Sequence, residues 1–354
     1  MTVGVVVIGR NEGERLRRCL ESVVNSVRSV VYVDSGSSDG SVELARTQGV
    51  EVVRLDLAMP FTAARARNAG FQHLVALAPD LAHVQFVDGD CELSPDWIAS
   101  AIAALASRPD VAIVAGRLHE RYPDVSIYNR LGDLEWNFSG PGEVAAVGGI
   151  FMIRRDAFES VGGFDPTVAA GEEPELCQRL TASGWRLWRL DCLMAWHDLG
   201  MTRFGQWWRR QVRTGHGGLD VAQRFGLARF RRNNWRARFW TAWLLAFVAI
   251  GLGLMPWEGT VFGPVAALSL AVLWPLQLVR IAIRTWRQGR PPQVALAYAF
   301  FTMLSFWPQM LGQIGYFTDR QRGRPPRLIE YKANHAGIRS RVQTDAVATK
   351  AGLR

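Results

Sequence analysis

Asp88 and Asp90 stand one residue apart, with Gly89 between them, at the end of a short apolar run over residues 84–87. Two carboxylates at alternate positions of an extended strand project to the same side and can share one hard cation, whose other positions go to water and phosphate oxygens. Asp-Gly-Asp is also ordinary turn chemistry, so the pair alone leaves both readings open. A second acidic group, Glu172-Glu173-Pro174-Glu175, opens a helical pattern. Acids there suit the helix dipole. Two further polar segments close apolar runs: Gly9-Arg10-Asn11-Glu12 follows residues 3–8, and Asp34-Ser35-Gly36-Ser37-Ser38-Asp39-Gly40 follows residues 30–33. Neither GxGxxG nor GxxxxGK[ST] is present, which excludes the dinucleotide fingerprint and the P-loop.

The elements that must position these residues alternate. Short β-branched runs at 3–8, 30–33, 50–55, 84–87 and 111–115 are separated by helical patterns at 16–24, 42–48, 62–77 and from Pro95, with Ser94 as its cap. Such alternation specifies an α/β fold with a mostly parallel sheet covered on both faces, and ligands then bind at the carboxyl ends of the strands. Residues 118–147, with Tyr128 and Trp136, are rich in glycine, proline and aromatics and show no clear period; they are expected to line one side of the ligand site. A strand at 149–153 and a helix over about 174–183 complete a domain that ends near Asp198.

Charge divides the chain. Residues 1–200 carry 18 Lys+Arg against 27 Asp+Glu, and residues 201–354 carry 23 against 5. The basic half also holds three uncharged apolar stretches, 239–257, 262–279 and 294–317, each near the roughly 20 residues that cross a bilayer as a helix. The expectation is about three membrane helices, the last of which, with Ser305, Pro308, Gln309 and Gln313, could be re-entrant. Residues 201–238 place ten arginines among aromatics and suit amphipathic helices on an anionic membrane surface. Spans directly after this stretch argue against nucleic acid as its partner. Residues 1–200 are thus expected to be catalytic, 201–238 interfacial, 239–317 transmembrane and 318–354 a basic polar tail. No signal peptide is evident at the amino terminus, which places the catalytic part in the cytosol at the inner (cytoplasmic) membrane of a multi-pass protein. Cys19, Cys91, Cys177 and Cys192 lack metal-ligand spacing and read as reduced thiols.

Five segments, in order, resemble the family 2 glycosyltransferases of the GT-A fold: VVIGRNEGERLRRCLESV, VVYVDSGSSDGS, RARNAG, FVDGDCELSPDWI and GGFDPTVAAGEEPELCQRL. The resemblance implies a Rossmann-like nucleotide-sugar-binding domain, inverting transfer, and Mg2+ or Mn2+ as cofactor. It implies that Asp34, Ser35, Asn11, Glu12 and Asp39 form or support the nucleotide pocket, that Arg65 and Asn68 face the donor sugar, and that Asp88, Gly89 and Asp90 are the DxD element, with Asp90 on the metal. Glu173, with Glu172 as substitute, occupies the place of the catalytic base, where the family more often has Asp. His197 matches a histidine that contacts metal or diphosphate. Gln206, Trp208, Arg209, Arg210 and Arg213 loosely match an acceptor-side Q-x-x-R-W element, with Arg210 replacing its final Trp; equally, these arginines could meet lipid phosphates. A lipid-linked or glycolipid acceptor is the leading expectation. A processive polysaccharide synthase and an inactive sugar-nucleotide-binding scaffold are the alternatives.

Overall fold

A computed structural model describes residues 2–137, 140–253, 262–324 and 329–330. Strand β1 (Val3–Gly9) is followed by α1 (Glu14–Val23), β2 (Ser29–Asp34), α2 (Ser41–Thr47), β3 (Glu51–Arg54), α3 (Ala63–Leu77), β4 (His83–Asp88), β5 (Cys91–Leu93) and α4 (Trp97–Ser107). Then come β6 (Val111–Glu120), α5 (Ile127–Trp136), β7 (Gly142–Glu143), β8 (Phe151–Arg154), α6 (Arg155–Ser160), α7 (Glu172–Ala182) and β9 (Arg186–His197). Four long helices follow: α8 (Phe204–Phe225), α9 (Ala228–Gly253), α10 (Phe262–Arg287) and α11 (Pro292–Gln321).

The nine strands form one mixed, mostly parallel sheet in the order β3-β2-β1-β4-β8-β6-β9-β5, with β7 paired to β9. β1, β2, β3 and β4 run parallel, whereas β8 is antiparallel to both β4 and β6. Burial on both faces explains the continuous Val and Ile of β1, whose Val5, Val6 and Val7 are fully enclosed. Helix α1 covers one face with Leu16, Cys19, Leu20 and Val23, the i, i+3, i+4, i+7 stripe its sequence carries. Helix α3 covers the other face closely: a Cβ on Gly70 would strike Val6 and come within 2.8 Å of Val33 Cγ2. Thr62 starts that helix by accepting a hydrogen bond from the Arg65 amide at 3.1 Å.

Two elements begin differently from their sequence patterns. The Ser94–Asp96 segment forms a turn, closed by the Trp97 amide on Ser94 O at 3.0 Å, so α4 starts at Trp97 rather than Pro95. Helix α7 starts at Glu172, two residues before Pro174, which places Glu172 and Glu173 in its first turn.

The carboxyl half differs more from expectation. Among the described residues one helix, α11, is long and apolar enough to cross a membrane, not about three. The expected span 239–257 falls partly, and 262–279 largely, on residues whose side chains or backbone lie outside the description. What is described of these two helices is also charged: α9 opens with Arg229, Arg231, Arg232, Arg236 and Arg238, and α10 closes with Arg280, Arg284 and Arg287. Helix α11 carries Pro308 internally and packs on α8, where Gly312 sits against the backbone of Val212 and His216. Leu296, Phe300, Leu311, Ile314 and Phe317 remain exposed on α11.

Candidate active site

The strand register brings the polar segments together. Gly9 pairs with Asp34 on β2 and Ile8 with Asp88 on β4, so the three loops leave one edge of the sheet in adjacent positions. Their rims enclose a cleft of about 320 Å³, lined on one side by Arg10, Asn11, Glu12 and Ser35 and on its floor by Asp88, Gly89 and Asp90. Glu172, Glu173, Trp136, His197, Arg210 and Arg213 close its other side.

At its centre lies Arg67, on α3 and 2% exposed. Its Nη2 donates to Asp88 Oδ1 at 3.0 Å, and its Nη1 donates to Glu172 Oε1 at 3.0 Å and Glu173 Oε1 at 3.1 Å. Burial works against the guanidinium charge, but Asp88, Glu173 and Glu172 outweigh it and keep the group cationic. One buried cation therefore ties the strand-end aspartate to both acids of α7. The loop before β8 approaches this cluster without a side chain: a Cβ on Gly149 would strike Arg67 Nη2 and lie 2.9 Å from Asp88 Oδ2 and 3.1 Å from Glu173 Oε1.

Glu173 is the more accessible acid, its side chain 17% exposed against 4% for Glu172. Burial, with Glu172 beside it, pushes its carboxyl up to about 7 against the pull of Arg67. Arg67 occupies only its Oε1. A carboxylate poised near neutrality with one oxygen held suits a proton acceptor.

Asp90 forms a second cluster, facing His197 at the end of β9, with 3.0 Å between Asp90 Oδ2 and His197 Nε2. Among the described residues, Asp90, Cys91 and His197 form the group that could hold a metal ion. The geometry fits one: ligands about 2.1 Å from a cation and at right angles to each other lie roughly 3.0 Å apart. The Cys91 thiol donates to Asp90 Oδ1 at 3.5 Å. The Trp136 ring packs edge-on to His197 with centroids 4.4 Å apart, fixing the imidazole plane. Behind it, Glu120 is buried and accepts hydrogen bonds from the amides of Tyr122 and Leu199, both at 3.1 Å, and from Asn129 Nδ2 at 3.1 Å. Burial raises its carboxyl to about 7, and its bonds anchor the turn after His197.

Several other residues singled out by sequence stand outside the cleft. Asp34 is 1% exposed and accepts from the Gly36 and Ser37 amides and the Tyr32 hydroxyl, bracing the loop whose Ser35 reaches the cleft. Asp39 bonds Ser41 at the start of α2, and Arg65 turns back to the carbonyls of Asp56, Met59 and Pro60. Asn68 exchanges two hydrogen bonds with the backbone of Phe164. Gln206 caps α8 by accepting from the amides of Thr202 and Arg203, Trp208 packs near Phe204, and Arg209 is exposed. Arg210 reaches the cleft while paired with Glu135 at 2.7 Å. Sequence reasoning passed over Arg67, although it lies between Arg65 and Asn68. The signal was available: α3 buries Ala64, Ala66, Arg67, Gly70, Phe71 and Leu74, so Arg67 falls on the sheet-facing stripe where a charge needs partners.

Residues 4–162 match the model described as Glycosyl transferase family 2, and residues 135–203 match the N-terminal domain of galactosyltransferase. Residues 4–162 thus carry a glycosyltransferase family 2 domain. The chain is 26% identical over 232 residues to glycosyltransferase AglE of Haloferax volcanii, covering 62% of this chain and 73% of that protein. It is 30% identical over 296 residues to the pre-mycofactocin glycosyltransferase of Mycobacterium tuberculosis, covering 78% of this chain and 57% of that one. It is 27% identical over 204 residues to the succinoglycan biosynthesis protein ExoA of Rhizobium meliloti, covering 53% and 60%. The chain thus spans less than two thirds of the latter two proteins. In fold it is similar to the mannosyltransferase PcManGT of Pyrobaculum calidifontis, solved with GDP-Man and Mn2+, at TM-score 0.54 and 16% identity over 90% of this chain and 87% of that one.

Proposed function

We propose that this chain moves a sugar from a nucleoside-diphosphate sugar to a membrane-associated acceptor, a lipid-linked saccharide or glycolipid, by a single displacement that inverts the anomeric carbon. The observation that carries the reading is the meeting of Asp88, Asp90, Glu173 and Arg67 at one cleft, on the strand edge where α/β sheets bind ligands.

Asn11, Glu12 and Ser35, on a loop braced by Asp34, would receive the nucleoside. Asp90 and His197 would hold Mg2+ or Mn2+, and an imidazole beside a carboxylate favours Mn2+. Such a cation, when bound, would offset the charge developing on the departing diphosphate. Glu173 would take the proton of the acceptor hydroxyl through Oε2, while Arg67 fixes Oε1 and orients the carboxyl. The acceptor has a route to that oxygen. A second cavity of about 260 Å³, lined by Gly171, Glu172, Glu173, Arg210, Arg213 and Phe230 among others, adjoins the cleft through the shared acids and arginines. Arg210 and Arg213 would there meet a phosphate on the acceptor. The exposed apolar residues of α11 support attachment to a bilayer, with the catalytic domain on the cytosolic side of the inner membrane.

The test is direct. The purified full-length chain is incubated with a panel of UDP and GDP sugars, Mn2+ or Mg2+, and a membrane lipid extract. Metal-dependent transfer into the lipid fraction, reduced at least about 100-fold by Asp90→Ala, is expected. Binding of donors without turnover of any would instead make the chain a scaffold.

A further inference from the structure

Helix α10 presents one continuous face in which Leu276, Val279, Arg280, Ile283, Arg284 and Arg287 line a shallow groove of about 650 Å³. Their spacing keeps them on one side of the helix along roughly 16 Å, apolar at one end and cationic at the other. Leu276, Val279 and Ile283 are 55%, 49% and 41% exposed. From α9, half-buried Arg236 joins the cationic end, with Arg232, Arg280 and Arg284 as like charges acting on it. Its guanidinium lies over the Phe306 ring of α11 at 5.6 Å. Among the described residues no carboxylate pairs with Arg232, Arg236, Arg280, Arg284 or Arg287. By contrast, Arg67, Arg179 and Arg210 each hold a carboxylate.

Like charges drawn together with no counter-charge are unfavourable unless an anion joins them. The anion must also suit the adjoining apolar end, which a free phosphate or a nucleic acid backbone would leave exposed to water. We propose that Arg236, Arg280 and Arg284 bind the phosphate of an anionic phospholipid of the bilayer, whose acyl chains lie along Leu276, Val279 and Ile283. This site is separate from the catalytic cleft and stands whether or not the transfer reading holds. Three guanidiniums on one phosphate give charge-assisted hydrogen bonds, and the flanking α11 is long and apolar enough to cross a membrane.

The full-length chain in zwitterionic detergent micelles is melted while phosphatidylglycerol, phosphatidylcholine or inorganic phosphate is titrated in at constant ionic strength. Phosphatidylglycerol is expected to raise Tm, with little effect from the other two. In R236Q/R280Q/R284Q the half-effect concentration rises at least tenfold. The variant R28Q/R46Q/R54Q, which removes the same charge from exposed arginines of the catalytic domain, responds as the native chain does. If the triple variant does not fold, R284Q alone is measured and a rise of at least threefold is expected. An unchanged response in the arginine variant, an equal loss in the charge-matched control, a full response to inorganic phosphate, or no response to phosphatidylglycerol would each overturn the site.

Discussion

Arg67→Gln removes the one cation shared by Asp88, Glu172 and Glu173. Breaking a buried pair from one side costs about 3–5 kcal/mol. The cost is bounded, because an orphaned carboxylate can take up a proton. From an ordinary pKa near 4.3 that uptake costs about 5 kcal/mol at pH 8 but only about 1.6 kcal/mol at pH 5.5. Asp88 is 37% exposed and water screens part of its share, so the acids of α7 dominate the effect. In the variant the folded carboxylates bind protons more tightly than the unfolded ones, so the lost stability returns as pH falls. The expected loss is about 3–5 kcal/mol at pH 8 and about 1–2 kcal/mol at pH 5.5. At roughly 2–4 °C per kcal/mol, Tm drops by about 6–20 °C at pH 8 and by well under half of that at pH 5.5. Melting the full chain in detergent at both pH values reads this out. A Tm loss equal at the two pH values, or smaller than about 2 °C at pH 8, would refute the reasoning. Arg67→Lys, which keeps the charge but lacks the fork, should fall between.

Glu173→Gln should lower transfer by about 10²–10⁴-fold while leaving the fold intact. Because the folded carboxyl keeps its proton to about 7 and the unfolded one to 4.5, the native chain loses stability as pH rises across that window. The Gln variant lacks that loss and should melt higher than the native chain above pH 7, by at most about 3 kcal/mol in stability, with no difference near pH 4.5; a lower Tm at pH 8 would contradict this. By the same shift, native transfer should rise with pH and level off above about 7. Gly149→Ala places a methyl against Arg67, Asp88 and Glu173. It should cost about 1–3 kcal/mol by melting and reduce kcat more than it alters donor affinity.

The sheet was legible because its strands are buried on both faces and so read as unbroken β-branched runs. The twelve-residue β9 was not, since Arg186, Arg189 and Asp191 interrupt its apolar residues and its pairing with β6 shifts register. Asp88 and Asp90 stood out by their spacing, and Glu172 and Glu173 by their place in the resemblance to the family. Arg67 was not, because one arginine in a helix carries no local sign of three carboxylates reaching it from 21, 105 and 106 residues away. Helix α5, which brings Trp136 to His197, hides in a stretch whose glycines and aromatics break the helical period. The apolar stretches 239–257 and 262–279 met the length expected of membrane spans, but long helices can be apolar over half their length and basic over the rest. Local hydropathy does not see that.

Electron paramagnetic resonance of Mn2+ added to the full-length chain with UDP or GDP reports the meeting of metal, diphosphate and acid at the cleft. Nucleotide-dependent Mn2+ binding in the native chain, abolished by Asp90→Ala and weakened by His197→Ala, is the expected result. Mn2+ binding that is unchanged in Asp90→Ala, or that ignores both nucleotides, would contradict a cleft built to grip a sugar diphosphate.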